Sequence, residues 1–163
     1  MLHTVYLGLG SNLGDRASLL QQAEDLLRRN VGPITARSKQ YETAPEGFES
    51  TNNFLNMVVR IETVLNPQFL RRATEDIERR LGRSQKSRNG VYHDRTIDID
   101  ILYYDQRVYR YCGLVLPHPR LHERQFVLKP LCDIAPDELH PGLGKTNRQL
   151  LRALNRKANQ KKL

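Results

Sequence analysis

A chain of 163 residues, 39% hydrophobic and 27% charged, is long enough to bury the core of one globular domain, and a single domain over 1–163 is expected. No run reaches the ~20 apolar residues of a membrane span, residues 1–5 lack the basic and apolar regions of a secretory signal, and Cys112 and Cys132 make neither a disulfide framework nor a zinc cluster; a cytoplasmic protein without a membrane partner is expected. The formal net charge of +8 implies a nucleic acid or a small polyanion such as a nucleoside triphosphate: part of it lies in 156–163, expected to be a frayed basic tail, and the rest concentrates between Arg79 and Arg95.

Residues 3–9 alternate loosely and are rich in Val, Tyr and Leu, the pattern of a strand. The strand runs into Gly8-Leu-Gly10-Ser-Asn-Leu-Gly14, whose third glycine falls one position late for a dinucleotide fingerprint, so a tight strand-to-helix turn is the reading. Leu19, Leu20, Ala23, Leu26 and Leu27 then keep helical period over about 15–30, with Asp15 at the start and Gly32-Pro33 beyond the end. A second strand is expected over 34–43. The segment 44–53 is turn-rich and aperiodic, and long enough for a working loop. A third strand, 54–63, sets Leu55, Met57, Val59 and Ile61 on its core side and Phe54, Asn56, Val58, Arg60 and Glu62 on the other. Phe54 beside the Asn56 amide suits a planar heterocycle, although ordinary packing is the simpler account of that pair taken alone.

Asn66-Pro67 is a strong helix start, with Leu70, Ala73, Ile77 and Leu81 as the buried stripe and Gly82 as the stop. A basic loop, 83–95, leads into RTIDIDIL, 95–102. Strict alternation there puts the isoleucines on one face and Asp98 and Asp100 on the other. Two carboxylates at i and i+2 repel each other unless a cation sits between them, so an oxygen-seeking ion such as Mg²⁺ is favoured over an edge strand that carries Asp merely to blunt the edge. Short edge segments follow at 108–111 and 114–116. Next comes a donor-rich run, Pro117-His118-Pro119-Arg120-Leu-His122-Glu-Arg124-Gln-Phe126. His118 and His122 have i, i+4 spacing, but no HExxH pattern is present and Pro119 prevents an established helix, so zinc is not expected. His118 and Arg124 read as phosphate donors, with capping of the following helix as the other role open to His118. Residues 126–135 look helical with an interruption at Pro130. Gly142-Leu-Gly144-Lys145-Thr146 fails the Walker pattern because Leu139 stands where its first glycine belongs. Thr146 and Gln149 make a capping box for a last helix.

The order is that of an α+β, ferredoxin-like β-α-β-β-α-β sheet, with helices on one face and additional C-terminal helices. Phe54, Asn56, Asp98 and Asp100 then share the other, open face. RNA-recognition domains use the same layout. Against that reading, the basic and aromatic run of such domains is absent, and two aspartates amid the face would repel a phosphate backbone.

The runs LGLGSNLGDR (7–16), YETAPEG (41–47), FLNMVV (54–59), IERRLGR (77–83), RTIDIDIL (95–102), LPHPRLHERQFVLKPL (116–131) and DIAPDELHP (133–141), in that order and spacing, resemble the 6-hydroxymethyl-7,8-dihydropterin pyrophosphokinase family over nearly the whole chain. The resemblance implies a ferredoxin-like fold and transfer of the terminal pyrophosphoryl group of ATP to the pterin hydroxymethyl group, with release of AMP and use of two Mg²⁺ ions. It implies that Asp98 and Asp100 hold both ions, and that Arg83, Arg95, His118 and Arg124 contact the phosphates. Phe54 and Phe126 would sandwich the pterin. Asn56 and the backbone of Thr43, Ala44, Pro45 and Glu46 would bond its edge, and Glu75 and Ile101 would hold adenine. The departures lie in the basic loop. Gln85 replaces a second arginine and Tyr92-His93-Asp94 replaces Trp-Gly-Pro, so Lys86 or Arg88 would supply the missing phosphate contact and Tyr92 the aromatic cover. No general base stands out, so catalysis by positioning and charge neutralisation is expected. The expected partners are ATP and the pterin, with no nucleic acid and no membrane, on a monomer.

Overall fold

The computed structural model describes residues 1–45, 52–82 and 96–161. The described elements are β1 (His3–Ser11), α1 (Arg16–Asn30), β2 (Ile34–Arg37), β3 (Tyr41–Thr43), β4 (Phe54–Thr63), α2 (Pro67–Arg80), β5 (Asp98–Tyr104), β6 (Tyr109–Tyr111), β7 (Leu114–Leu116), α3 (Gln125–Ile134) and α4 (Asn147–Lys161). The main sheet is antiparallel in the order β2-β4-β1-β5, with β3 also paired to β4, and β6 and β7 form a separate hairpin.

Local chemistry sets the boundaries. The Asp15 carboxylate accepts from the Ser18 amide at 3.1 Å and the Asn66 side chain from the Phe69 amide at 2.9 Å, so each helix starts on a side-chain cap. The capping box before α4 forms in both directions, Thr146 N–H to Gln149 at 2.9 Å and Gln149 N–H to the Thr146 hydroxyl at 3.1 Å. The single strand expected over 34–43 is two strands. Ser38, buried at the break, donates its amide to the Val58 carbonyl at 2.9 Å, while its hydroxyl, in place of a backbone carbonyl, accepts from the Val58 amide at 2.9 Å.

One face of the sheet packs Val5, Leu7, Leu9, Ile99 and Ile101 against Leu20, Ala23 and Leu27 of α1 and Leu70 and Ile77 of α2. The opposite face is not open, as alternation suggested. Tyr6, Val58, Leu102 and Tyr103 on that side pack against Val127, Leu128 and Leu131 of α3 and Leu150 of α4. Two tyrosines and the apolar stripe of α3 are too large an apolar area to leave in water. Within the expected frayed tail, residues 156–161 continue α4. Leu150, Leu151 and Leu154 seat that helix on the second core, and Gln125 Nε2 donates to Asn155 at 2.8 Å; Arg156, Lys157 and Lys161 remain exposed. Toward the Ser11 end of β1 the apolar layer gives way to glycines and polar groups.

Candidate active site

The register builds this end of the sheet as a row across three strands. Gly10 on β1 lies opposite Asn56 on β4 and Asp98 on β5; Gly8 lies opposite Val58 and Asp100. With no side chain on the middle strand, the amide and the two carboxylates border a shallow floor of backbone. Close approach, not unusual dihedral angles, is the reason for glycine here: a Cβ on Gly10 would sit 2.7 Å from Asn56 Oδ1 and 3.6 Å from the Phe54 ring. Asn56 is 6% exposed and its Nδ2 donates to the Thr43 hydroxyl at 2.7 Å, so β3, which pairs Thr43 with Phe54, orients the amide. Phe54, Asn56, Asp98 and Asp100 therefore share one face, as their alternation predicts.

The isoleucines flanking the aspartates are the anchor. Ile97, Ile99 and Ile101 are buried in the first core, while both carboxylates are half-buried. Arg124 Nη1 lies 4.0 Å from Asp100 Oδ2, too distant for a strong pair. Among the described residues, no group of three or more His, Cys, Asp or Glu side chains could hold an ion. Two half-buried carboxylates on one face of a strand fit a hard divalent cation that takes its remaining oxygen ligands from water and substrate phosphate.

A bulge aims the donor-rich segment at this face. The β1–β5 register shifts between Tyr6 and Leu7, leaving Leu102 as the extra residue, and its carbonyl accepts from the His118 amide at 3.0 Å. His118 Nδ1 accepts from the Arg120 amide at 3.2 Å, so the neutral ring carries its proton on Nε2. Capping and phosphate donation are thus compatible: one nitrogen serves the turn and the other presents N–H. Burial, with Arg124 and then Arg120 as positive neighbours, outweighs Asp98 and pushes the His118 pKa down to about 4. Since the charged form is disfavoured only in the folded chain, His118 costs no stability above its ordinary pKa. Its protonation opposes folding progressively as pH falls from about 6.5 toward about 4. In metal-free protein the His118 ring proton shifts, followed by NMR, are expected to stay at their neutral values down to pH ~5; a midpoint near 6.5 would contradict the half-buried, positively flanked setting. His122 instead packs against His140, ring centroids 6.1 Å apart.

Arg124 occupies the N-cap position of α3 without capping it, and its guanidinium lies over the Phe126 ring at 5.4 Å. The start of α3 thereby brings Arg124 toward Asp100. Thr43 ends β3, and Ala44 and Pro45 follow it. Glu75 and Ile101 fall elsewhere: Ile101 points into the helix-covered core, and Glu75 on α2 pairs with Arg71 at 3.7 Å, so these two belong to the opposite side of β5 from the aspartates. Glu46, Arg83, Arg88, Tyr92 and Arg95, with Lys86 and the departures at 85 and 92–94, lie outside the described residues.

One supporting residue was not anticipated. Glu78 on α2 is 2% exposed and accepts from the Ile99 amide at 2.9 Å, on the edge of β5 between the two aspartates. Its signal in the sequence is a carboxylate four residues after Thr74 within the buried stripe of the helix.

Comparison with known proteins gives consistent matches. Residues 6–136 match the model of the 7,8-dihydro-6-hydroxymethylpterin-pyrophosphokinase (HPPK) family. A 2-amino-4-hydroxy-6-hydroxymethyldihydropteridine pyrophosphokinase from Porphyromonas gingivalis is 54% identical over 140 residues, covering 84% of this chain and 93% of the relative. Its counterpart from Bacillus subtilis is 44% identical over 135 residues, covering 82% and 79%. Among solved structures, wild-type HPPK-DHPS from Plasmodium falciparum with pteroate aligns over all of this chain with a TM-score of 0.80 at 18% identity. This chain spans 46% of that longer protein, and the likeness is one of fold.

Proposed function

The chain belongs to the 7,8-dihydro-6-hydroxymethylpterin-pyrophosphokinase family, and from that premise we infer that it transfers the terminal pyrophosphoryl group of ATP to the hydroxymethyl group of 6-hydroxymethyl-7,8-dihydropterin in folate biosynthesis, releasing AMP. The observation that carries the site assignment is the row Asp98, Gly10, Asn56 across β5, β1 and β4. It sets an acidic pair on β5 and an oriented amide on β4 on the same face, with the glycines of β1 between them, an arrangement that suits a polyphosphate held beside a heterocycle.

In the proposed arrangement the substrate hydroxyl oxygen attacks the β-phosphorus of ATP, the bond from that phosphorus to the α,β-bridging oxygen breaks, AMP leaves with that oxygen, and the hydroxyl proton passes to solvent water. Asp98 and Asp100 would hold two Mg²⁺ ions, which, when bound, neutralise phosphate charge and align the attacking oxygen. The Asn56 amide, held by Thr43, together with the backbone from Thr43 to Glu46, bonds the polar edge of the pterin, and Phe54 and Phe126 cover its faces. His118 Nε2–H and the Arg124 guanidinium donate to phosphate oxygens, as would Arg83, Arg95 and Arg88; Tyr92 would supply the aromatic cover, and Glu75 and Ile101 would hold adenine from the helix side of β5. His118 is unsuited to act as a base near neutral pH, because its Nδ1 already accepts from Arg120 and Nε2 carries the proton. Rate enhancement then comes from positioning and charge neutralisation.

A monomer is the proposed working unit. The basic charge has polyphosphate as its client, so the reading needs no nucleic acid, and a cytoplasmic setting suits its substrates. No described helix is long and apolar enough to cross a membrane. The RNA-binding alternative gains no support, since the acidic pair occupies the face that such a module would offer to phosphate. Incubation with ATP, Mg²⁺ and the reduced hydroxymethylpterin is expected to yield AMP in equal amount to pyrophosphorylated pterin. ADP formation, or no pterin-dependent turnover, would reject the assignment.

A further inference from the structure

The segment from Asn12 to Arg16 takes no part in the mechanism above, yet its side chains reach both stems of the segment joining β3 to β4. Arg16 Nη1 donates to Glu42 Oε1 in β3 at 2.9 Å and to the backbone carbonyl of Asn53, immediately before Phe54, at 2.9 Å. Asn12, 2% exposed, donates from Nδ2 to the Asn52 carbonyl at 3.4 Å. With Leu13 and Gly14 these residues line a cleft of about 430 Å³. Glu42 precedes Thr43, which orients Asn56, and Asn53 precedes Phe54; the two residues joined by one guanidinium nitrogen are each next to a side chain that borders the pterin site.

We propose that Arg16 is a positioning residue for the pterin: by bridging Glu42 and the Asn53 carbonyl it holds the Thr43 and Phe54 stems at the separation that seats the heterocycle. The inference rests on the proposed function and adds to it a residue remote from the phosphates. The Arg16–Glu42 ion pair alone could not do this, because its side chains are 32% and 57% exposed and such pairs contribute little. The bond to the Asn53 carbonyl is different. It is charge-assisted and restrains main chain, and a guanidinium can serve two acceptors from one nitrogen in a fixed geometry.

Steady-state kinetics of wild type, Arg16→Ala, Arg16→Lys and Glu42→Gln, each with a melting curve, test the proposal. Arg16→Ala is expected to raise the KM for the pterin by about tenfold or more, the size of losing one charge-assisted bond, with kcat and the KM for ATP within about twofold. Arg16→Lys should recover part of the loss, and Glu42→Gln, which keeps an acceptor, should cost about twofold or less. An unchanged pterin KM in Arg16→Ala, or an equal rise in both KM values, would overturn the positioning role. A wild-type protein that forms no AMP would instead reject the reaction itself, so the two failures are distinguishable.

Discussion

Asp98→Asn and Asp100→Asn are each expected to lower kcat by about 10³-fold or more, the scale of ~4 kcal/mol of lost charge stabilisation on a transferring phosphoryl group. Asn keeps the shape and one oxygen of the carboxylate, so the backbone row is preserved and only anionic character is lost. Both side chains are half-buried and stand at i and i+2 on one strand, so in metal-free protein each substitution removes like-charge repulsion. The increase in melting temperature that Mg²⁺ with ATP confers on wild type should shrink in both variants, and that loss together with the lost rate separates an ion-holding carboxylate from a structural one. A variant with wild-type kcat at saturating Mg²⁺ would remove that aspartate from the machinery.

How far this site could be read before folding depends on the range of the interactions involved. RTIDIDIL places its aspartates correctly because period-two alternation with a deeply apolar partner face leaves a strand only one way to lie. The caps at Asp15, Asn66 and Thr146 are equally legible, since each donor and acceptor lie within three residues. The cover on the second face is not. It depends on Tyr6 and Tyr103 meeting the stripe of α3, a match between segments that no local pattern links. Counting by twos likewise misses the extra residue at Leu102, although that bulge delivers the His118 amide to β5. The roles of Glu78 and Arg16 are hidden for the same reason: their acceptor and donor functions are completed by backbone groups 21 and 37 residues away. Glu75 and Ile101, assigned to adenine by resemblance, stand on the helix side of the sheet, so any role there belongs to the outer edge of β5 and not to the acidic face.

Gly10→Ala should damage the pterin half of the site while leaving the phosphate half intact. The new methyl would lie 2.7 Å from Asn56 Oδ1, closer than real Cβ contacts allow, and Asn56 has little room to yield because it is 6% exposed and bonded to Thr43 at 2.7 Å. Either that bond breaks or β1 and β4 separate locally, and in both cases the amide leaves its orientation. Losing one or two substrate bonds would raise the pterin KM by about ten- to one-hundredfold, with a much smaller change in the KM for ATP. Gly8→Ala is the matched control on the same strand and face. Its methyl would meet only Leu102 side-chain carbons at 3.6 to 3.8 Å, an ordinary contact, so melting temperature should be maintained and pterin affinity spared. If steric pressure on Asn56 is the cause, the two effects are coupled: in an Asn56→Ala background, Gly10→Ala should add almost nothing to the pterin KM. Equal pterin KM values for Gly10→Ala and Gly8→Ala, or full additivity with Asn56→Ala, would show that the glycine serves some purpose other than admitting the Asn56 amide over β1.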